Sequence, residues 1–348
     1  MRVLFLTLYP EAAASPRYRV HQFLPYLRER GIEYTVRTPL SEVEWRKHTG
    51  PSRQGRAFWY HARETPRRFS QLLESSSYDV VFLQKAITTA YVHGLDRLLR
   101  HRAKRLVFDI DDAVHLAPPH ALRMPWRLLE DRNQSLRIMS RADLVLAGNT
   151  WLADEAEAQG GRAVHFPTVV DTDRFTPPAN LPEGFSVGWM GAPSTAGALN
   201  TIAPALNSLK AGELIVAGAS AGQVHLEAAR IEPWHYDTEV QLLQQLSVGL
   251  MPLPQDTWSR GKCALKALLY MAVGVPCIAT PWGAVKDIIR HGENGFFAET
   301  DAEWRTALEA LRDPALRGQL GEAARSTVES QFSLRKAAPA LVDHLETL

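Results

Sequence analysis

Cysteine is nearly missing from this 348-residue chain, with Cys263 and Cys277 the whole complement. Two thiols without metal-ligand spacing exclude a disulfide framework and a cysteine zinc site. They are predicted to be small buried groups in a reducing compartment. Long apolar runs are missing too, since no stretch reaches the roughly 20 residues that span a bilayer. Val3 to Leu8 is too short for a signal core and is ended by Pro10, so the expected location is cytoplasmic. Neither charge sign is in excess. The 39 Lys and Arg against 38 Asp and Glu leave a formal net charge of +1, which gives no overall drive toward nucleic acid. No G-x-G-x-x-G follows the first apolar run, which disfavours a dinucleotide-dependent oxidoreductase. What is present is an ordinary globular composition, 45% hydrophobic and 22% charged, at a length that favours two domains.

Strand and helix patterns alternate along that length. Arg2 to Leu8, Ile32 to Thr38, Tyr78 to Gln84, Arg105 to Ile110 and Ala142 to Ala147 read as strands buried on both faces of a parallel sheet. Between the first two, Val20, Phe23, Leu24 and Leu27 recur at helical spacing. Further helices are expected over Val92 to Arg100 and, after a loop with Pro118, Pro119 and Pro125, over Arg127 to Ile138. Pro167, Pro177, Pro178 and Pro182 give the stretch around residue 180 the composition of a joint. A second series starts at FSVGWMG and runs through Leu214 to Ala217 and Val248 to Pro252. The expected fold is α/β, with two Rossmann-like, doubly wound parallel-sheet domains, 1–178 and 179–330, facing a cleft. A C-terminal helix in 331–348 is expected to pack back toward the first domain. The cleft would collect the carboxyl ends of both sets of strands and is the candidate site.

The most informative stretch runs from Trp258 to Trp282. Ser259-Arg260-Gly261-Lys262 is a basic loop before an apolar run, Ala264 to Val273, that reads as a buried helix ended by Gly274. Arg260, Lys262 and Lys266 at such a helix start cost energy against the partial positive charge there, unless an anion binds. Lys262 and Lys266, spaced i, i+4, are expected on one helix face. The blander reading is a solvated basic loop. Gly191, Ser194 and Thr195 form a small-residue loop after a strand, where the backbone can approach a ligand and either hydroxyl can cap the next helix. Asp109, Asp111 and Asp112 end the strand Arg105 to Ile110. Asp111 and Asp112 are adjacent, so at most one is expected to point into a cleft. Their spacing is a weak metal signal, and cap or turn roles account for one or two of them. Between Arg46 and Arg68, seven basic residues surround Phe58-Trp59-Tyr60 against one carboxylate, Glu64. That segment suits docking on an anionic surface, either phospholipid headgroups or a phosphorylated acceptor, and equally a solvated insertion.

Together these blocks resemble the GT-B glycosyltransferases, specifically the large retaining family four. ALLYMAVGVPCIATPWGAVKDIIRHGENGFF is similar to that family's helix, A-x-G-x-P, strand, G-x-x-E and G-x-N-G block, with Asp287 near the glutamate's place. RADLVLAGNTWLADEA with HFPTVVDTDRF resembles its end-of-first-domain signature. The resemblance implies a nucleotide-sugar donor, a glycan, lipid-linked or small-molecule acceptor, retention of configuration, and no metal or cofactor. It also implies an acceptor-side first domain and a donor-binding second domain. Three departures stand out. Gly261 and Leu269 occupy the places of the family's two donor-motif glutamates, GWMGAPSTAG lacks its phosphate-binding arginine and lysine, and SPRYR replaces its glycine-rich first turn. A rebuilt site would use Arg260, Lys262 and Lys266 for the diphosphate, with the Gly191, Ser194 and Thr195 loop. His235 and Tyr236 would lie at the base, with Trp234 read as core packing. Arg17 and Arg19 would face the cleft from its rim, and Asp111 or Asp112 would orient hydroxyls, with Lys262 essential to transfer. A decayed site would leave an inactive partner subunit, and an epimerase of the same fold is a third reading.

Overall fold

The computed structural model describes residues 1–49, 56–117, 128, 130–180, 182, 184–209, 212–220 and 222–348. The chain divides into two compact units. The first is Met1–Thr168 with Gly261–Cys263 and Ala337–Leu348, and the second is Val169–Arg260 with Ala264–Lys336. The division after Thr168 precedes the proline-rich joint read near residue 180. Residues just beyond it already pair inside the second unit, where the Val170 amide donates to Phe332 and its carbonyl accepts from Leu334, both at 2.9 Å.

In the first unit the strands are β1 Arg2–Thr7, β2 Glu33–Arg37, β3 Val80–Gln84, β4 Leu106–Ile110, β5 Leu144–Ala147 and β6 Ala163–His165. They form one sheet in the order β2-β1-β3-β4-β5-β6, each pair parallel. β3, β4 and β5 are buried throughout, their runs of Val, Leu, Ile, Phe and Ala broken only by Gln84 and Asp109, as expected when helices cover both faces. The second unit repeats the plan with β7 Ser186–Met190, β8 Glu213–Ala217, β9 Ala229–Glu232, β10 Val248–Met251, β11 Cys277–Ala279 and β12 Gly295–Phe297. Its order is β12-β11-β10-β7-β8-β9, again parallel. Strand order reverses beside β1 in one sheet and beside β7 in the other. At such a switch point the loops leaving the carboxyl ends diverge and open a crevice.

Helix boundaries depart from the sequence reading where prolines intervene. The helix read through Val20 to Leu27 is three pieces, Ala14–Arg19, a 3-10 turn His21–Phe23, and Leu24–Glu29. Val20 leaves helical geometry at φ −130°, and Pro25, which has no amide hydrogen to donate, fits only the first turn of the last piece. The helix read around Leu199 to Leu209 likewise splits at Pro204. Of the stretch from Arg127 to Ile138, the helix proper is Gln134–Arg141, and the loop holding Pro118, Pro119 and Pro125 lies outside the described residues.

The helix Leu265–Ala272 is buried from Ala267 to Ala272 and closes on Gly274, at φ +75°. Tyr270 fixes it to the switch point of the second sheet. Its hydroxyl accepts from the Met190 amide at 2.9 Å and donates to the Leu250 carbonyl at 3.4 Å, joining β7 to β10. Gly249 of β10 lies against the Tyr270 ring, where any Cβ would collide. At the other end of the helix, Arg325 donates to the Ala272 and Phe175 carbonyls and, at 2.9 Å, to Thr172.

Candidate functional site

In the first unit the carboxyl ends of β1, β3 and β4 converge on a mixed charge cluster. Asp111 and Asp112 follow β4, and both face Lys85, the residue after β3. Lys85 Nζ is 3.4 Å from Asp111 Oδ1 and in direct contact with Asp112 Oδ2. The alternation rule that allowed only one aspartate into the site fails here because the chain has already left the strand. Lys262 adds a second ammonium 3.4 Å from Asp112 Oδ1. Ser15 donates to Asp111 Oδ2 and accepts from Gln84 Nε2 at 2.6 Å. Lys85 was not legible from composition. Its signal was a lysine directly after a buried strand, and its backbone at φ +72° is a left-handed conformation that costs a non-glycine residue about 1 kcal/mol.

The electrostatics keep Lys85 and Asp112 ionised. Burial would lower Lys85, but Asp111 and Asp112 outweigh it and hold the ammonium above the usual lysine range. Burial would raise Asp112, yet Lys85 and Lys262 hold it below the usual carboxylate range. Cys263 is a buried thiol, pushed up chiefly by desolvation, with Sγ 3.3 Å from the Asp111 carbonyl. The segment Gly261–Cys263 is seated closely. A Cβ on Gly148 would strike Cys263 Sγ, a Cβ on Gly261 would lie 2.7 Å from Ala113, and Asn149 Nδ2 donates to the Lys262 carbonyl at 3.3 Å.

The rim arginines are corrected. Arg19 is 2% exposed, not a cation facing a cleft. It forks onto Asp109 and donates to the Phe166 carbonyl at 2.8 Å, so its charge is matched inside the sheet edge. Arg17 is 7% exposed and turns back on the Glu11 and Ala12 carbonyls. The shared helix face for Lys262 and Lys266 also fails. Ala264, at φ +53°, is the cap before Leu265, so Lys262 precedes the helix and only Lys266 belongs to it.

Within the second unit Lys266 meets the loop after β7. A Cβ on Gly191 would fall 2.5 Å from Lys266 Cε and 2.7 Å from the Trp189 ring, and Lys266 Nζ lies 5.3 Å above that ring. Gly218, after β8, packs on the Gly191 carbonyl and on Trp234. Ser194 and Thr195 stand in the short helix Pro193–Ala196, whose cap is Ala192. Neither hydroxyl caps it, and Thr195 Oγ1 instead donates back to the Ala192 carbonyl at 3.0 Å. His235 and Tyr236 are exposed, and Arg174 stacks 3.7 Å over the Tyr236 ring. Trp234 Nε1 donates to buried Glu239 at 3.2 Å. Arg260 is exposed at the end of the helix Thr257–Arg260, and Leu269 is 3% exposed. Among the described residues no cluster of His, Cys, Asp or Glu is arranged to hold a metal ion.

The family model described as glycosyl transferases group 1 matches residues 186–313. That stretch is a group 1 glycosyltransferase domain. It contains the Gly191 loop, Lys266, His235 and Tyr236. The chain is also 36% identical over 102 residues to N-acetyl-alpha-D-glucosaminyl L-malate synthase of Bacillus anthracis, a match spanning 28% of this chain and 25% of that protein. Whole-chain likeness comes from structures. Anabaena HepE, in complex with UDP and glucose, gives a TM-score of 0.70 at 16% identity over 100% of both chains. Sucrose-phosphate synthase from Thermosynechococcus elongatus gives 0.75 at 14% identity, over 99% of this chain and 98% of that one. The fold around the group 1 domain is therefore GT-B.

Proposed function

We propose that this chain is a glycosyltransferase that moves a sugar from a nucleoside-diphosphate donor to a hydroxyl acceptor, with retention of configuration and without a metal ion. One observation carries the reading, the Lys266 side chain against Gly191 in the group 1 domain. The loop GWMGAPSTAG has no cation of its own, and the helix Leu265–Ala272 brings one to it. A fixed ammonium there offsets the charge that develops on a leaving diphosphate, as a metal would elsewhere. Arg260, Ser194 and Thr195 are assigned to the same anion, and His235 and Tyr236 to the base. Asp111 and Asp112 are assigned to acceptor hydroxyls, with Lys262 acting through Asp112. HepE is described in complex with UDP-glucose, which makes that sugar nucleotide the first donor to try.

The acceptor is a glycan, a lipid-linked sugar or a small molecule, and peripheral contact with an anionic membrane from the cytoplasmic side belongs to the same proposal. For that contact the helix Arg56–Glu74 offers Trp59, Phe69 and Leu73, exposed by 61%, 47% and 38%. Its arginines are less available than their number implied. Arg68 is buried and donates to the Ile87 carbonyl at 2.8 Å, while Arg67 pairs with Glu44 at 2.7 Å. No helix among the described residues is long and apolar enough to cross a membrane.

The test is thermal unfolding against UDP, GDP, ADP, CDP and TDP. A ligand at about 100 times its Kd adds about 2.7 kcal/mol to stability. The expected result is a shift with one base that is lost in Lys266→Ala. Unchanged midpoints with all five would overturn the reading.

A further inference from the structure

We infer that the cluster around Ser15, Gln84 and the Asp111–Asp112 pair binds the hydroxyls of an uncharged sugar, and that carboxylate-bearing acceptors are rejected there. The inference rests on the transferase reading for its biological setting, but the chemistry of the cluster stands on this unit alone. Its charges are matched. Arg19 is taken by Asp109, Lys85 by Asp111 and Asp112, and Lys262 by Asp112. An incoming carboxylate would meet two aspartates and no cation that lacks a counterion within this cluster. Each ammonium there is already held by an aspartate, so a carboxylate would lose its water without gaining an ion pair in return.

A hydroxyl meets a different surface. Asp111 and Asp112 are acceptor-only groups, and their side chains stay 12% and 21% exposed. Gln84 supplies the independent sign of a ligand. It is fully buried, its amide nitrogen donates to Ser15 Oγ, and its Oε1 has no hydrogen-bond partner. A buried carbonyl oxygen without a donor is costly, and buried polar groups are ordinarily satisfied. Its neighbours Ser15 and Asp111 are already joined to each other. A sugar hydroxyl reaching it, directly or through one bridging water, would supply the missing donor. Such sites reject the wrong ligand steeply, because an unpaired polar group is left behind.

The experiment is ligand-observed saturation-transfer NMR on the full chain without donor. The probes are the methyl glycosides of glucose, galactose and mannose, each beside its 6-carboxylate counterpart. At least one neutral glycoside should bind about tenfold or more tightly than its uronide. Ser15→Ala and Gln84→Leu should each weaken that binding severalfold, with Ser15→Ala the safer variant because Ser15 is only half-buried. Equal or tighter binding of the uronide, unchanged glycoside binding in both variants, or no transfer to any probe would each overturn the inference. Failure of nucleotide binding, in contrast, would fall on the transferase reading and leave these results standing.

Discussion

Arg19 shows what a single buried charge demands. Asp109 is wholly buried, and desolvation lifts its carboxyl to about 6 even against the pull of Arg19. Because the folded value lies above the unfolded value of 3.8, the folded state binds the proton more tightly between those limits. This group's contribution to stability is therefore fully present below about pH 4 and declines as pH rises through 6. Replacing Arg19 by Met should accentuate the slope, since the stranded carboxyl can be protonated in acid but not at alkaline pH. Urea unfolding of Arg19→Met should show a loss of about 3 kcal/mol or more at pH 8 and clearly less at pH 5. Equal losses at both values would show that Asp109 is not the group responsible. Lys85→Met poses the parallel question for Asp111 and Asp112, and sugar transfer should fall at least about a hundredfold while Lys85→Arg retains part of it. Steady-state rates with the donor found by the nucleotide panel check this. None of these pairings was legible in sequence. The partners lie 90 positions apart for Arg19 and Asp109 and 150 for Lys262 and Asp112. Composition reports a cation but not what it faces.

Elements were easier to read than contacts. β1, β3, β4 and β5 are buried almost throughout, so their mostly apolar runs located them despite Gln84 and Asp109. The start of the helix Leu265–Ala272 was misplaced because Ala264 adopts a left-handed cap that an alanine does not advertise. The function of that helix depends on its seat against β7 and β10. Tyr270→Phe should cost about 1–3 kcal/mol, because the buried Met190 amide loses its acceptor. Denaturant midpoints would show it. Gly191→Ala should weaken nucleotide binding by about tenfold or more, since its methyl would have to displace the Lys266 stem or the Trp189 ring. Isothermal titration against the preferred nucleotide would measure this, and unchanged affinity would place the anion elsewhere.

At the scale of the molecule, the near-zero net charge conceals sharp local order. Among the described residues, the basic run from Arg46 to Arg68 looked unbalanced because two of its counterions, Glu42 and Glu44, lie just before it. Arg46 pairs with Glu42 at 2.7 Å, and Arg67 with Glu44. Glu64 is buried and accepts from the Thr89 amide at 2.9 Å. The alternation of strands and helices foretold a doubly wound fold. It could not foretell that three residues from far along the chain, Gly261–Cys263, would complete the first unit. That detail has a consequence for biosynthesis. The ribosome finishes the sheet of the first unit after residue 165, yet Asp112 receives its second ammonium only when Lys262 has emerged, and the Ala337–Leu348 segment follows later still. The unit translated first is therefore the unit completed last, and a nascent chain halted before Lys262 holds Asp112 against Lys85 alone.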